Sequence, residues 1–533
     1  MKTWRDVNAI YQIYPRSFLD TNHDGVGDLI GIIEKLDYLK TTLGIDAFWT
    51  SPIYRSPMAD YGYDVSDYCD IDPVFGTLDD FKTLLREAHA RDLKVMMDIV
   101  PNHTSDQHAW FTESRASRDN PKRDWYVWRD AKPDGSMPNN WLSQSGGPAW
   151  TRDEATGQYY LHSFMPEQPD LNWENPEVRD AMKDVLRFWF DMGVDGFRAD
   201  AVWGLSKDPD LADDPRNPDY HGQADEYGYY IHRSCKQGPY FIERLTELVA
   251  VAKEYDDKFM IFEYYPDDKL GDIMQQYQEV YSIDPAVCSS FFFEGFRQPW
   301  SAQVFGTIYH DFLSGLDENS LPAMSISNHD QPRIASRLSQ AQARIVAMLQ
   351  LTLPGLPLIY NGDEIGMEDV ELSSEELKDQ FDVRTGIFGG RDPERTPVQW
   401  DDTRYAGFSD VKPWLPVSPN RTTINVATQL ADDDSMLALH RYLIDLRSHS
   451  ETLRHGWFET IEVNNGYVFA YKRSSENERY YVLLNFDNHD QRVQLPEACT
   501  VVRSTHTYDE VSIDNNHSLT LSPYQGLIVR STL

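Results

Sequence analysis

The stretch Asp195-Gly196-Phe197-Arg198-Ala199-Asp200-Ala201-Val202 sets a guanidinium and a carboxylate two residues apart. Along a strand, residues i and i+2 share a face, so Arg198 and Asp200 point the same way, with Phe197 and Ala199 opposite. A neighbouring cation lowers a carboxylate's pKa, and an Asp kept ionised at neutral pH can act as a nucleophile. The plainer reading of the same residues is a structural ion pair at a strand end. Other groups of the right chemistry recur along the chain: His103 after Asp98 and Asn102, Glu263 within an apolar run, and His329 beside Asp330.

The elements that would position these groups are legible. Ahead of Arg198, Asn175 can cap a helix whose first turn accepts Pro176, since proline's missing N–H costs nothing there. Val178, Met182, Val185, Leu186, Trp189 and Phe190 follow at three- and four-residue spacing, and Gly193 permits the stop. Strand-like runs lie at 7–18, 45–54, 93–100, 194–202, 259–264, 289–293, 322–327 and 356–360, with helical patterns between them, including 32–43, a helix capped by Thr77, 241–253 and 341–351. Eight alternations of strand and helix predict parallel βαβ units closed into an α/β, (β/α)8 TIM barrel. Chemistry in such a barrel sits at the C-terminal strand ends, which is where His103, Asp200, Glu263, His329 and Asp330 fall.

Two stretches break the rhythm. Residues 104–172, rich in Trp, Pro, Gly, Asn and Asp, read as a small inserted domain after strand three, and residues 456–533, with short β-type runs between turns, read as an all-β sandwich. The expected division is therefore 1–103 with 173–455 for the barrel, 104–172 for the insertion and 456–533 for the C-terminal domain. A further insertion spans 207–240.

Bulk properties narrow the function. A net charge of −37 over 533 residues argues against nucleic acid, which needs a basic footprint, and against anionic membranes. The excess acid reads as solvated surface, with a saline habitat as the alternative. Four scattered cysteines suggest neither a disulfide framework nor a zinc site. With no apolar leader and no membrane-length run, a cytoplasmic monomer or homodimer is expected. Aromatic content of 13% suits sugar faces as well as core packing.

Near the N-terminus, Asp20, Asn22, Asp24, Val26 and Asp28 alternate around Gly25. Oxygen donors at alternate positions with a glycine at the sixth match the opening of a calcium loop. Position twelve is Gly31 rather than Glu, so the expectation is one structural divalent cation, Ca2+ ahead of Mg2+, outside an EF-hand; an ordinary Asn/Asp/Gly turn is the alternative. No organic cofactor is expected.

Taken together, Asp98-Ile-Val-Pro-Asn102-His103, Gly196-Phe-Arg198-Ala-Asp200-Ala201, Glu263 and Asn328-His329-Asp330 resemble, in order, the signature regions of the α-amylase family of glycoside hydrolases. Gln168-Pro-Asp170-Leu-Asn172, the segment from Gly390 to Trp400 and the metal loop resemble its oligo-1,6-glucosidase and α-glucosidase branch. The resemblance implies Asp200 as nucleophile, Glu263 as general acid/base and Asp330 as the carboxylate that holds sugar hydroxyls. It further implies that His103 and His329 bind the first sugar, that Tyr63 stacks on it, and that Asp60 and Arg391 close a pocket also lined by Phe164 and Gln168. In that branch a Val after the nucleophile goes with α-1,6 cleavage and a smaller residue with α-1,4, so Ala201 implies an exo-acting, retaining α-glucosidase of short α-1,4 substrates. The alternatives are an oligo-1,6-glucosidase, a transglycosylating relative such as a trehalose synthase or sucrose isomerase, and a barrel that only binds. Arg198 is expected to keep Asp200 charged, and apolar neighbours to raise the Glu263 pKa. Tyr264 beside Glu263 and Ser327 before Asn328 depart from the common pattern.

Overall fold

The computed structural model describes residues 2–380, 390–463, 465–507 and 511–531. The parts of the expected barrel and terminal domain at 381–389, 464, 508–510 and 532–533 lie outside them. Eight strands, β1 (Ile10–Ile13), β2 (Ala47–Thr50), β3 (Lys94–Ile99), β4 (Gly196–Ala199), β5 (Phe259–Phe262), β6 (Cys288–Phe292), β7 (Ala323–Ser325) and β8 (Leu356–Tyr360), form a closed barrel. Every neighbouring pair is parallel, including β8 with β1.

The strand period of two sorts side chains between the lumen and the outer layer. Ile10, Ala47, Trp49, Met96, Phe259, Ile261, Phe291, Ala323, Leu356 and Leu358 pack with Trp4 in one buried cluster, the lumen. Tyr11, Phe48, Val95, Met97 and Phe197 instead join the core shared with the surrounding helices. Gly196 has no side chain because a Cβ there would meet the Phe259 carbonyl at 2.6 Å and the Trp4 ring at 3.1 Å.

Local signals account for the flanking helices. Thr77 and Asp80 make a reciprocal capping box on the helix Leu78–His89. Asn175 accepts from Glu177 at the start of Pro176–Met192, and Gly193 ends it at φ +112°. The expected helix at 32–43 is instead broken. Asp28 accepts from the Gly31 N–H and starts Leu29–Glu34 early, and a separate wider turn, Tyr38–Leu43, runs to Gly44. The first strand is also shorter than its apolar run, since Pro15 opens a 3-10 turn at Pro15–Ser17.

Between β3 and Pro176 the chain forms the helix Ala109–Ala116 and a three-stranded antiparallel sheet of Trp128–Arg129, Tyr159–Leu161 and Trp150–Arg152. The C-terminal strands make a five-stranded and a two-stranded antiparallel sheet whose facing residues, among them Leu483, Val529, Val493 and Leu521, share one apolar core. No helix among the described residues is long and apolar enough to cross a membrane.

Candidate active site

The lumenal parity of β3, β4 and β5 runs on past their last apolar residues. On β3 the inward set is Lys94, Met96 and Asp98; on β4 it is Gly196 and Arg198, continuing to Asp200; on β5 it is Phe259 and Ile261, continuing to Glu263. Register places Asp98 opposite Arg198, and Arg198 opposite Ile261. Three carboxylates from three strands thus surround one guanidinium.

Arg198 Nη1 donates to Asp200 Oδ1 at 2.6 Å and to Asp98 Oδ1 at 2.8 Å, while Nη2 lies 2.8 Å from Glu263 Oε1. The other Glu263 oxygen accepts from the Ala201 N–H at 3.0 Å. Ala201 sits in the left-handed region, at φ +45°, which turns that N–H toward β5. The expectation of apolar surroundings for Glu263 is corrected here. Ile261, Phe262, Tyr264 and Tyr265 are its sequence neighbours, but its carboxylate meets a guanidinium and an amide.

The expected low pKa of Asp200 is corrected as well. Burial pushes the Asp200 carboxyl well above its ordinary range, and the charges of Glu263 and Asp98 add to that, against the pull of Arg198. Burial likewise pushes Asp98 up to about 7, again against Arg198. One cation thus serves three buried acids, and the interacting Asp98 and Asp200 titrate together rather than as separate residues.

Asp330, by contrast, is held below the carboxylate range. Burial opposes its charge, but Arg395 Nη2 donates to Oδ1 at 2.7 Å and Arg391 Nη1 at 3.3 Å. Burial keeps His329 neutral. Gln12 meets its Nδ1 at 2.8 Å and Tyr63 Oη its Nε2 at 2.7 Å. An amide N–H can only donate, so Nε2 carries the ring hydrogen and donates to Tyr63. Tyr63 stacks on His329 with rings 6° apart and passes its own hydrogen to Asp98 at 3.2 Å.

Asp60, Arg391, Gln168, His103 and Phe164 continue the same network. Arg391 Nη2 donates to Asp60 at 2.7 Å, Gln168 Nε2 contacts Asp60 and the His103 ring at 3.1 Å each, and Phe164 lies 5.1 Å from His103, ring to ring. Every expected catalytic and substrate-binding residue therefore belongs to one connected cluster at the C-terminal mouth of the barrel.

Sequence reasoning placed Asp98 in a signature motif without giving it a role, and missed Arg395, Asp379, Gln12 and Lys207 as members of that cluster. Asp379 pairs with Arg391 at 2.7 Å, and Lys207 lies 3.0 Å from Asp170. Asp98 did carry a signal, the one acid in a strand whose Val95, Met96, Met97 and Ile99 are apolar and which is buried throughout. Gln12 lies on β1, with the inward parity of Ile10, and Arg395, Asp379 and Lys207 come from segments between the strands and α-helices, whose approach no local pattern encodes. Ser327, one of the unusual positions, hydrogen-bonds Asp363.

The Asp20–Asp28 loop stands apart, against residues 408–414. Asp20 accepts from the His23 and Gly25 N–H groups at 2.8 and 2.9 Å, Asp24 from Val26 at 2.8 Å, and Asp28 from Thr21 at 2.8 Å. Gly25, at φ +91°, is pressed on the Lys412 carbonyl. These donors are all oxygen, a set that fits a hard cation such as Ca2+.

A parallel barrel whose mouth gathers carboxylates, arginines and imidazoles has the architecture of a barrel glycoside hydrolase. The chain belongs to the α-amylase family: residues 12–456 match the α-amylase catalytic domain, and residues 468–528 match the C-terminal domain of the α-amylase SusG. It is 38% identical to the oligo-1,6-glucosidase of Parageobacillus thermoglucosidasius, over 93% of this chain and 92% of the relative. It is 41% identical to the probable α-glucosidase of Rhizobium meliloti, over 92% and 91%. The crystal structure of an α-glucosyl transfer enzyme, XgtA, superposes with a TM-score of 0.92 at 37% identity, covering all of both chains.

Proposed function

We propose that the chain is a retaining, exo-acting α-glucosidase that releases glucose from the non-reducing end of short α-1,4-glucosides such as maltose. The observation that carries this reading is the shared guanidinium. Asp200 and Glu263 both bond to Arg198, which favours the ~5 Å carboxyl separation of a retaining pair over the wider gap that admits a water.

In this mechanism Asp200 attacks the anomeric carbon while Glu263 gives its proton to the glycosidic oxygen, so the leaving sugar departs as an alcohol. Glu263, now ionised, takes a proton from water as that water displaces Asp200 from the glucosyl ester, and both carboxyls return to their starting state. Asp330, pinned ionised by Arg395 and Arg391, holds sugar hydroxyls and faces positive charge developing on the ring. His103 and His329 hydrogen-bond the first sugar, and Tyr63 stacks on it. The Asp60–Arg391 pair, with Gln168 and Phe164, shuts the far end, which restricts cleavage to one terminal glucose.

The small Ala201 side chain supports the α-1,4 preference. Rates and products on maltose, isomaltose, sucrose and trehalose test the reading; a clear isomaltose preference overturns the linkage. A second reading, glucosyl transfer to an acceptor other than water, is favoured by the likeness to the transfer enzyme, and disaccharide products from sucrose or maltose would select it.

The loop Asp20, Asn22, Asp24, Val26 (through its carbonyl) and Asp28 is proposed to hold one divalent cation, Ca2+ ahead of Mg2+, with a structural effect only. A chelator should lower the thermal midpoint, and Ca2+ should restore it. The same proposal takes the domain division at 103/104, 172/173 and 455/456, no nucleic-acid partner, a monomer or homodimer, and a cytoplasmic location; fractionation and sedimentation check the last two.

A further inference from the structure

The residues between β4 and the helix Phe241–Ala252 carry a side-chain cluster for which the glycosidic chemistry has no use. Asp214, His232 and Cys235 are buried there, and one ligand-capable atom from each lies within 4.8 Å of the other two. His232 Nδ1 is 3.4 Å from Asp214 Oδ2 and 3.5 Å from Cys235 Sγ. The other ring nitrogen contacts the Tyr227 carbonyl at 2.6 Å. A carbonyl only accepts, so Nε2 carries a hydrogen, and Nδ1 is the ring nitrogen that faces the carboxylate and the sulfur. A backbone carbonyl imposes this same orientation on metal-ligating histidines.

The carboxylate supplies the second observation. Asp214 Oδ1 accepts from the Ser234 N–H at 2.7 Å. Oδ2 is fully buried and meets no hydrogen bond of normal geometry among the described residues, its polar neighbours being His232 Nδ1 at 3.4 Å and the Cys235 thiol. A buried carboxylate oxygen set against an imidazole nitrogen and a sulfur is costly unless a proton or a metal cation lies between them. Donors held about 2.0–2.3 Å from one zinc ion at near-tetrahedral angles stand roughly 3.3–3.8 Å apart, and the two spacings from His232 fall in that interval.

We propose that Asp214, His232 and Cys235 form a binding site for a Zn2+-type divalent ion, with water completing the coordination. A sulfur, nitrogen and oxygen set selects such an ion over Ca2+ or Mg2+, which separates this site from the all-oxygen loop at Asp20–Asp28. Its place suggests a clip. Asp214 exchanges backbone hydrogen bonds of 2.8 Å with the Asn140 amide, and Trp141 donates to the Ala212 carbonyl at 2.9 Å. Two residues past Cys235, the Gln237 N–H bonds to the Trp203 carbonyl at 2.8 Å, just beyond Ala201. An ion here ties the inserted sheet region to the wall that follows Asp200.

The test uses the full chain, stripped with a chelator and then given Zn2+ or Co2+. The expected result is one retained equivalent of zinc in addition to anything held by the Asp20–Asp28 loop, and a thiolate-to-Co2+ charge-transfer band in the near ultraviolet. Cys235→Ser should lose the band and that equivalent, and Asp24→Asn should keep both. Asp214→Asn, which preserves size, should weaken zinc retention by more than about tenfold, and it decides the matter should Cys235→Ser fail to fold. Absence of the band in the folded wild-type chain, or a band unchanged by both Cys235→Ser and Asp214→Asn, overturns the site and leaves His232 as a protonated partner of Asp214.

Discussion

Arg198 and Arg447 are buried to the same degree, each 1% exposed, yet their surroundings differ in kind. Arg198 is ringed by Asp98, Asp200 and Glu263. Burial alone would lower its pKa, but those charges hold it well above the usual arginine value. Arg447, on the helix Met436–His449, finds carbonyls as its hydrogen-bond acceptors among the described residues. It donates to Leu353 at 2.8 Å, Leu453 at 3.0 Å, and also to Leu351 and Gly355. Burial, with the charge of Arg473 nearby, pushes it down to about 9. Both arginines satisfy buried oxygens, but carbonyls at the end of the helix Gln340–Thr352 need only donors, whereas three carboxylates need a charge. One guanidinium satisfies carbonyls at helix ends; the other concentrates ionisable groups at the mouth of the barrel.

The comparison can be broken most severely at the mouth. Asp200→Asn should lower turnover of maltose by on the order of 10^4-fold with the thermal midpoint nearly unchanged. An unimpaired, fully folded variant would remove Asp200 from the chemistry.

Next come the two arginines themselves. Arg198→Met leaves three buried carboxyls without a cation, a change worth about 3–5 kcal/mol. It should both reduce turnover and move the acid limb of kcat/KM to higher pH. Arg447→Met orphans carbonyls at about 1–3 kcal/mol each, so it should depress the melting temperature while folded molecules keep their pH profile. The contrast fails if Arg447→Met shifts that profile, or if Arg198→Met does not.

Ala201→Val tests the neighbouring backbone. The left-handed φ disfavours a β-branched residue, and the extra bulk should move the isomaltose-to-maltose ratio of kcat/KM toward isomaltose by about tenfold. No change in that ratio would detach linkage choice from this side chain.

The mildest test is pH in the unaltered protein. Asp200 must be ionised to attack, and its raised folded pKa puts the acid limb of kcat/KM above the ordinary Asp value of about 3.9. Stability runs the other way. Asp98, at about 7 when folded, binds its proton more tightly than the unfolded chain does. Its contribution is therefore present at low pH and is lost as pH rises through about 7. Asp98→Asn should flatten that part of the melting-temperature curve, and an unchanged slope would sink the assignment.

Much of this was open to reading along the chain. The eight strands, the capped helix Pro176–Met192 and the antiparallel terminal strands follow from period and turn chemistry, which act within a few residues. The candidate residues also fell at strand ends as expected, because inward parity carries Arg198, Asp200 and Glu263 to one mouth. The electrostatics did not follow from neighbours in sequence. Glu263 lies between apolar residues along the chain and beside a guanidinium in space, and Asp200 has its arginine but shares it with two other acids.

What the sequence determined by itself, then, is the alternation of elements and the type of side chain each strand end presents, since both depend on local dihedral preference and on apolar spacing. Which of those side chains share a guanidinium, and which arginine pins Asp330, was decided only by closure of the barrel. Arg198 and Glu263 are 65 residues apart in sequence yet come from adjacent strands, and Arg395 reaches Asp330 at 2.7 Å from a segment 65 residues away. Burial and charge pairing act over ångströms in space, and spacing along the chain does not encode them.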